Sequence, residues 1–257
     1  MDLGLKGKRV LVAGSSRGIG LSIGIAFAIE GARVCFTARS LESLEKIVFP
    51  VNLSTDKIVK HCCDFTNERA IVDLKNFILA AEYWKEIDIL IFNVGSGESL
   101  LDPIPDAKQF NSIFQLNFFS AVNTFREFLP LLIKSKGCGL VISSICGLES
   151  LAAPIDYSIA KSALNSFVKN FSHKVGHYGI RINAIAPGNI LFSGGTWDKK
   201  LQNNKVGIME MIQEKVPLKR FGTPEEIAAT SLFLCSEQAS FITGSILAID
   251  GGQTIGT

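Results

Sequence analysis

Arg9-Val10-Leu11-Val12-Ala13-Gly14-Ser15-Ser16-Arg17-Gly18-Ile19-Gly20 sets a short apolar run directly before three glycines. The run from Arg9 to Ala13 reads as a buried strand, and an apolar helical pattern opens at the last glycines. That context, strand before and helix after, turns a glycine pattern into a dinucleotide-binding expectation. Glycines permit the tight turn and let a pyrophosphate approach the helix N-terminus, where free amide donors and the helix dipole favour anions. A loop shaped only for packing is the competing reading, and the flanking elements weigh against it.

Outward from this turn, short apolar runs alternate with longer helical patterns. The strand candidates are Arg9–Ala13, Arg33–Ala38, Ile58–Cys63, Ile87–Asn93, Gly139–Ser143, Arg181–Ala186 and Ser245–Ile249. Their β-branched content and unbroken hydrophobicity suit strands covered on both sides. The predicted class is α/β: a single doubly wound Rossmann-type domain over residues 1–257, with a mostly parallel sheet of about seven strands and helices on both faces. Thr223-Pro224-Glu225-Glu226 reads as an N-cap, a first-turn proline and two acids opening a helix toward Cys235. In the helix around residue 160, the stripe Ile159, Ala163, Phe167, Phe171, Val175 is expected to pack into the core, with Tyr157 and Lys161 facing another direction. Phe192 to about Glu214 is polar and weakly patterned. A surface excursion is the competing reading, but its position after a strand's C-terminal end favours a substrate lid over about residues 192–214.

The bulk numbers exclude several function classes. With 257 residues the chain suits one large α/β domain. A formal charge of +2, from 26 basic and 24 acidic residues, leaves no basic stripe for a phosphate backbone, so no nucleic-acid partner is expected. Apolar residues reach 47%, yet charges and glycines break every run well short of the ~18 residues of a membrane span. Met1 to Arg9 shows no signal-peptide pattern, and a cytoplasmic location is expected. Six cysteines without Cys-x-x-Cys spacing read as buried reduced thiols. His61-Cys62-Cys63-Asp64 alternates across a strand and does not converge on a metal, so none is expected.

Tyr157 and Lys161 stand four residues apart, so on a helix they project from one face, one turn apart. A free phenol titrates near ~10, and a positive neighbour favours its ionised form. Such spacing also arises by chance, and the surrounding pattern decides its meaning. The glycines follow Gly-x-x-x-Gly-x-Gly, and Ser144 precedes Tyr157 by thirteen residues. Asp64, Asn93-Val94-Gly95, Asn117, Pro187-Gly188, Pro217 to Glu226, Thr243-Gly244 and Asp250-Gly251-Gly252 follow in order. With these motifs, the chain resembles the short-chain dehydrogenase/reductases of the Tyr-x-x-x-Lys type, from its first strand to its C-terminus.

The resemblance implies a nicotinamide cofactor and a catalytic set of Asn117, Ser144, Tyr157 and Lys161. Tyr157 would donate a proton to the substrate oxygen and Lys161 would lower the phenol's pKa and hold the nicotinamide ribose. Ser144 would hydrogen-bond the carbonyl, and Asn117 would fix a water linking Lys161 to solvent. Ser143 competes with Ser144, since adjacent strand residues face opposite ways. Asn117 also reads as a helix-interior polar residue satisfied by backbone. The implied cofactor contacts begin with Gly14, Ser16, Arg17, Gly18, Ile19 and Gly20. Arg39, Ser40, Asp64 and Phe65 follow at the next strand ends, then Asn93 and Gly95. Tyr157, Lys161, Pro187, Gly188 and Ile190 complete the set. Phe36-Thr37-Ala38-Arg39-Ser40 carries no acid to receive a ribose 2′-hydroxyl, whereas Arg39, with Arg17 as a second positive charge, suits a 2′-phosphate. NADPH is therefore expected over NADH. Arg39 as a solvated surface residue is the competing reading.

The chain departs from the family in two places. Phe92 stands where a first asparagine is usual, before Asn93. Phe192 replaces the threonine that contacts the carboxamide, so Ser193 or backbone takes over that contact, or Phe192 packs toward the substrate. The expected activity is hydride transfer between nicotinamide and a carbonyl or alcohol, with a 3-oxoacyl-type ketone on a carrier protein or a sugar-type ketone as substrate. For a carrier, Lys199, Lys200 and Lys205 are the candidate docking residues. A sensor that binds NADPH without chemistry is the alternative, and it has no need of the proton relay. The resemblance also implies a homo-oligomer, tetramer or dimer, with Phe241 to Gly252 at an interface.

Overall fold

Side chains alternating along each strand divide the core in two. In β1 (Arg9–Ala13), Leu11 and Ala13 join one apolar cluster and Val10 and Val12 the other, all four fully buried. A strand apolar at every position must be covered on both faces. The computed structural model, which describes residues 2–51, 53–80, 84–99 and 102–256, supplies both covers. The other strands are β2 (Arg33–Ala38), β3 (Ile58–Cys62), β4 (Ile89–Phe92), β5 (Cys138–Ile142), β6 (Arg181–Pro187) and β7 (Ile246–Ile249). Every neighbouring pair in the sheet order β3-β2-β1-β4-β5-β6-β7 is parallel.

The helices are α1 (Gly18–Ile29), α2 (Leu41–Glu45), α3 (Glu68–Leu79), α4 (Ala107–Phe114), α5 (Ser120–Ser135), α6 (Ile155–Val175), α7 (Thr196–Asn203), α8 (Lys205–Lys215) and α9 (Pro224–Cys235). On one face, α1, α2 and α9 bury Phe27, Leu44 and Ile227; on the other, α3, α5 and α6 bury Leu74, Phe128 and Leu164. The chain leaves β1 outward through β2 and β3, then returns to the other side of β1 as β4. This reversal opens a crevice at the strands' carboxyl ends, where doubly wound sheets bind ligands.

The observed sheet is the predicted one, and β1 and β2 match their predicted bounds. α9 begins as its signals imply: Thr223 precedes Pro224, and the Glu226 carboxylate accepts the Thr223 N–H at 2.9 Å. The Arg220 guanidinium grips the same carboxylate at 2.6 and 3.0 Å and, as the largest influence, holds its pKa near about 2. One expectation fails in part. On α6 the buried face is Asp156, Ala160, Leu164, Val168, Ser172 and Val175, with Lys161 beside it at 3% exposure, while Ile159 is 44% exposed. Val175 is buried as expected, and Phe167 and Phe171 are partly buried and pack on the same core through Phe125 of α5. A helix wedged between a sheet and a second helix is covered along two adjoining stripes, and the larger aromatic residues mark only one of them. The polar stretch after Phe192, where a lid is expected, is helical: α7 and α8 cover most of it. Asn204 joins them, its side-chain oxygen capping α8 through the Gly207 N–H at 3.0 Å.

No helix among the described residues is long and apolar enough to cross a membrane. Of the cysteines, Cys35, Cys63, Cys138 and Cys235 are buried as predicted, but Cys62 is exposed and Cys146 partly so.

The end of β2 laces the glycine turn to the sheet. Thr37 Oγ1 accepts the Gly14 N–H at 3.0 Å and donates to Val12 O at 2.8 Å, while Ser15 Oγ accepts the Thr37 N–H at 2.8 Å. Asn93 donates to Gly14 O at 2.7 Å from the end of β4. Gly20 closes on the same carbonyl: a Cβ there would lie 2.2 Å from Gly14 O and 2.5 Å from Asn93 Nδ2. Gly20→Ala is therefore expected to destabilise the fold by about 1–3 kcal/mol through forced backbone shifts. Thermal unfolding should show a midpoint lower by about 3–10 °C.

Candidate active site

Tyr157 and Lys161 leave the first turns of α6 toward the carboxyl end of β5. Lys161 Nζ lies 5.8 Å from the Tyr157 ring centroid and donates to Ile142 O at 3.1 Å. Burial pushes the Lys161 ammonium down to about 8. Burial also pushes the Tyr157 phenol up to about 12, against a hydrogen bond with Ser144 that pulls it down. The phenol thus stands above its ordinary value. The expected lowering by Lys161 is not seen: burial sets the phenol's pKa, and the ammonium points at a main-chain carbonyl.

Ser144 follows β5 with its hydroxyl turned to the site, also accepting the Cys146 N–H at 3.2 Å. Ser143 points the other way, donating to Lys161 O at 3.5 Å, so of the two serines only Ser144 faces Tyr157. Asn117 sits fully buried in a single π turn, Gln115–Phe119, between α4 and α5. Its side chain is satisfied by backbone: Oδ1 accepts the Ser96 N–H at 3.1 Å, and Nδ2 donates to Ser96 O and Ile113 O. π turns concentrate at functional sites, since they re-aim a helix at one point. Gly95 closes the cluster, for a Cβ there would lie 2.7 Å from Asn117 Oδ1 and 3.1 Å from Lys161 Nζ. Asn117, Ser144, Tyr157, Lys161 and Gly95 therefore converge.

The expected cofactor residues line the crevice from the glycine turn outward. α1 starts at Gly18, in the left-handed region at φ +55°, and no side chain caps it, so its first amides are free to meet an anion. Ser16 and Ile19 lie in that turn, partly buried. Arg17 donates to Gly194 O at 3.2 Å and so bridges the turn to the segment after β6. Arg39 is exposed at the end of β2, its guanidinium without a hydrogen-bond or ion-pair partner among the described residues. Ser40 caps α2 by accepting the Ser43 N–H at 3.3 Å. Asp64 folds back onto Thr66 at 2.9 and 2.7 Å. Phe65 packs edge-on against Phe92 and is 3% exposed, which leaves only its backbone for a ligand. Pro187 ends β6, Gly188 donates to Ile249 O at 2.9 Å, and Ile190 is buried where the chain bridges to Gly222. A dinucleotide fits this donor set: free amides for its phosphates and an unpaired guanidinium for a further one.

A family model described as enoyl-(acyl carrier protein) reductase matches residues 13–254. The chain belongs to the short-chain dehydrogenase/reductase family. It is 34% identical to the 3-oxoacyl-[acyl-carrier-protein] reductase of Chlamydia trachomatis, over 97% of this chain and 98% of that one. The solved L-sorbose reductase of Gluconobacter frateurii, complexed with NADPH and L-sorbose, superposes with a TM-score of 0.88 at 29% identity, covering 99% of this chain and 100% of that one. A 7α-hydroxysteroid dehydrogenase complexed with NADH and 7-oxo glycochenodeoxycholic acid gives 0.86 at 29% identity, covering 97% and 95%.

In this short-chain dehydrogenase/reductase the segment after Ile190 is tied down at several points. Asn189 and Leu191 exchange backbone hydrogen bonds with Gly222 at 2.9 Å each, which closes the base of the excursion. Phe192, in place of the usual threonine, lays its ring against Gly18 and Gly195. With Leu21, Ile25, Ala228 and Leu232 it lines an apolar cavity of about 430 Å³ between α1 and α9. The reading of Phe192 as a substrate-facing side chain gives way to that apolar wall. Lys199 pairs with Glu98 at 2.6 Å, and Lys200 stands over the Trp197 ring at 4.6 Å. Glu149, in the loop between Ser144 and Tyr157, accepts the Ile255 N–H at 2.6 Å and the Gly256 N–H, so the C-terminal segment straps that loop. Neither Glu149 nor Glu98 carries a local sequence signal, since their partners lie about a hundred residues away.

Proposed function

We propose that the protein is an NADPH-dependent reductase of a small-molecule ketone, working in reverse as an alcohol dehydrogenase. The observation that carries this reading is the convergence of Ser144, Tyr157, Lys161 and Asn117 beside the uncapped start of α1. The glycine turn and the amides of α1 would hold the cofactor's phosphates, Arg39 the 2′-phosphate, and Lys161 the nicotinamide ribose. When bound, the nicotinamide supplies or accepts the hydride.

The chain's own residues handle the oxygen and its proton. Ser144 faces the Tyr157 phenol, and the pair presents two hydroxyls to a carbonyl oxygen. Tyr157, held protonated up to about 12, donates the proton as charge develops on that oxygen. Lys161, with its pKa near about 8, is cationic at neutral pH and stabilises the phenolate left behind. Asn117 and Gly95 fix the ammonium's surroundings. The Phe192–Glu214 segment, latched through Arg17 and Lys199, acts as the lid over this mouth.

The lysines considered for a carrier protein are largely engaged within the structure, Lys199 on Glu98 and Lys200 on Trp197. That favours a free, polar, sugar-type ketone over a carrier-bound 3-oxoacyl chain. Fully exposed Phe241 and half-exposed Leu247 support a homo-oligomer through the C-terminal segment.

A panel of sugar-type, 3-oxoacyl and steroid ketones, followed at the NADPH absorbance, tests the reading. Turnover of at least one is expected; NADPH binding without any oxidation across the panel overturns it. The pH profile is a second arm. kcat/KM for reduction should hold steady up to about pH 8 and fall above it as Lys161 loses its proton, while Tyr157 keeps its own. A profile that first breaks two units higher contradicts the role given to Lys161.

A further inference from the structure

Five consecutive residues after β4 each touch a different part of the site. Gly95 faces Asn117 and Lys161, and Ser96 binds both polar atoms of the Asn117 side chain. Gly97 packs under the Tyr157 ring, where a Cβ would lie 3.6 Å from Cζ. Glu98 holds Lys199, and Ser99 donates to Asp156 Oδ2 at 2.5 Å.

Asp156 is the residue before Tyr157 and is 0% exposed. Its other oxygen, Oδ1, accepts the Tyr157 N–H at 2.8 Å, and Gln109 of α4 donates to Ser99 Oγ at 3.1 Å. The carboxylate has no ion-pair partner among the described residues. A buried carboxylate is costly unless it is satisfied by donors, and the first turn of a helix contributes a favourable dipole. An acid serving only to start α6 would gain that dipole benefit at the surface, without burial. Here burial joins the loop on one side of the phenol ring to the backbone that carries it on the other.

We propose that Asp156, through Ser99, is a positioning residue for Tyr157: it clamps the Gly97–Ser99 loop to the first turn of α6 and so fixes the phenol over the substrate oxygen. This rests on the reading of Tyr157 as the proton donor. A misplacement of about 1 Å at such a group costs on the order of 100-fold in rate.

Asp156→Asn separates the clamp from the charge. The amide oxygen still accepts the Tyr157 N–H, and its NH2 donates to Ser99 Oγ, with Gln109 flipping to accept. Asp156→Ala loses both bonds. On any ketone the enzyme reduces, Asp156→Ala should lower kcat by about 10–100-fold, with ketone KM and NADPH Kd little changed. Asp156→Asn should recover most of that loss, and Ser99→Ala should fall between.

A second readout needs no turnover. Tyrosinate absorbance during a pH titration, taken as the difference from Tyr157→Phe, isolates the Tyr157 phenol. In Asp156→Ala the transition should move from about 12 toward the free value, because a loosened phenol is wetted; in Asp156→Asn it should stay. Wild-type kcat in Asp156→Ala, an Asn variant as impaired as the Ala variant, or an unmoved titration each overturns the clamp. A shifted titration in a protein that reduces no ketone supports the clamp and refutes the reductase reading instead.

Discussion

Replacing Tyr157 by Phe is expected to lower kcat for ketone reduction by about 10²–10⁴-fold, the usual worth of a positioned general acid. The substitution is close to a pure deletion of the proton. The ring keeps its place against Gly97, and only the hydroxyl facing Ser144 is lost. Removing one hydroxyl with its hydrogen bonding changes stability by about 1 kcal/mol, so a folded protein is available for comparison. Cofactor affinity should change little, because the free amides at Gly18 and the guanidinium of Arg39 lie on other elements. Steady-state kinetics beside a fluorescence titration with NADPH separates the two effects. A variant retaining more than about a tenth of wild-type kcat would remove Tyr157 from the role of proton donor. Loss of NADPH binding in the same variant would instead assign the residue to cofactor capture.

The parts of this site that were readable in the sequence are those whose physics is local. A parallel strand buried on both faces is apolar nearly throughout, so the runs at Val10–Ala13 and Val34–Phe36 announce themselves, and a strand, a glycine turn and a helix in succession announce an anion cradle. Thr223-Pro224-Glu225-Glu226 carries its own stop and start chemistry within four residues. What escaped reading depends on partners far along the chain. Asp156 looks like any first-turn acid until Ser99, 57 residues away, is found bonded to it. The α6 stripe was readable only in part: Phe167, Phe171 and Val175 pack on the core, whereas the equally covered Ala160 and Ser172 are small or polar and give no apolar signal. The lowered pKa of Lys161 arises from burial under several elements at once, which no four-residue spacing encodes.

Arg39→Asp should reverse the choice between the two nicotinamide cofactors. Arg39 stands two residues beyond Thr37, whose side chain and backbone bind the glycine turn directly, so the strand end and the phosphate cradle are held in fixed relation. Ser40 is committed to capping α2, and Arg17 to Gly194 O on the segment after β6. That leaves the Arg39 guanidinium as the free cation at the β2 edge among the described residues, and its planar fork matches a phosphate in two bonds at once. A hydrogen bond to a charged group contributes about 1.5–3 kcal/mol, or on the order of 10–100-fold in binding. Aspartate removes it, sets a like charge against the 2′-phosphate and supplies an acceptor for a 2′-hydroxyl. The NADPH to NADH ratio of kcat/KM should therefore fall by about 100-fold or more, whereas Arg39→Ala, which adds no repulsion, should lower it by only about 10-fold. Thermal stability should be unchanged in both variants, since the exposed side chain has no partner to lose. An unaltered ratio in Arg39→Asp would leave Arg39 a solvated surface residue and would return the cofactor preference to whichever nicotinamide the wild-type kinetics favour.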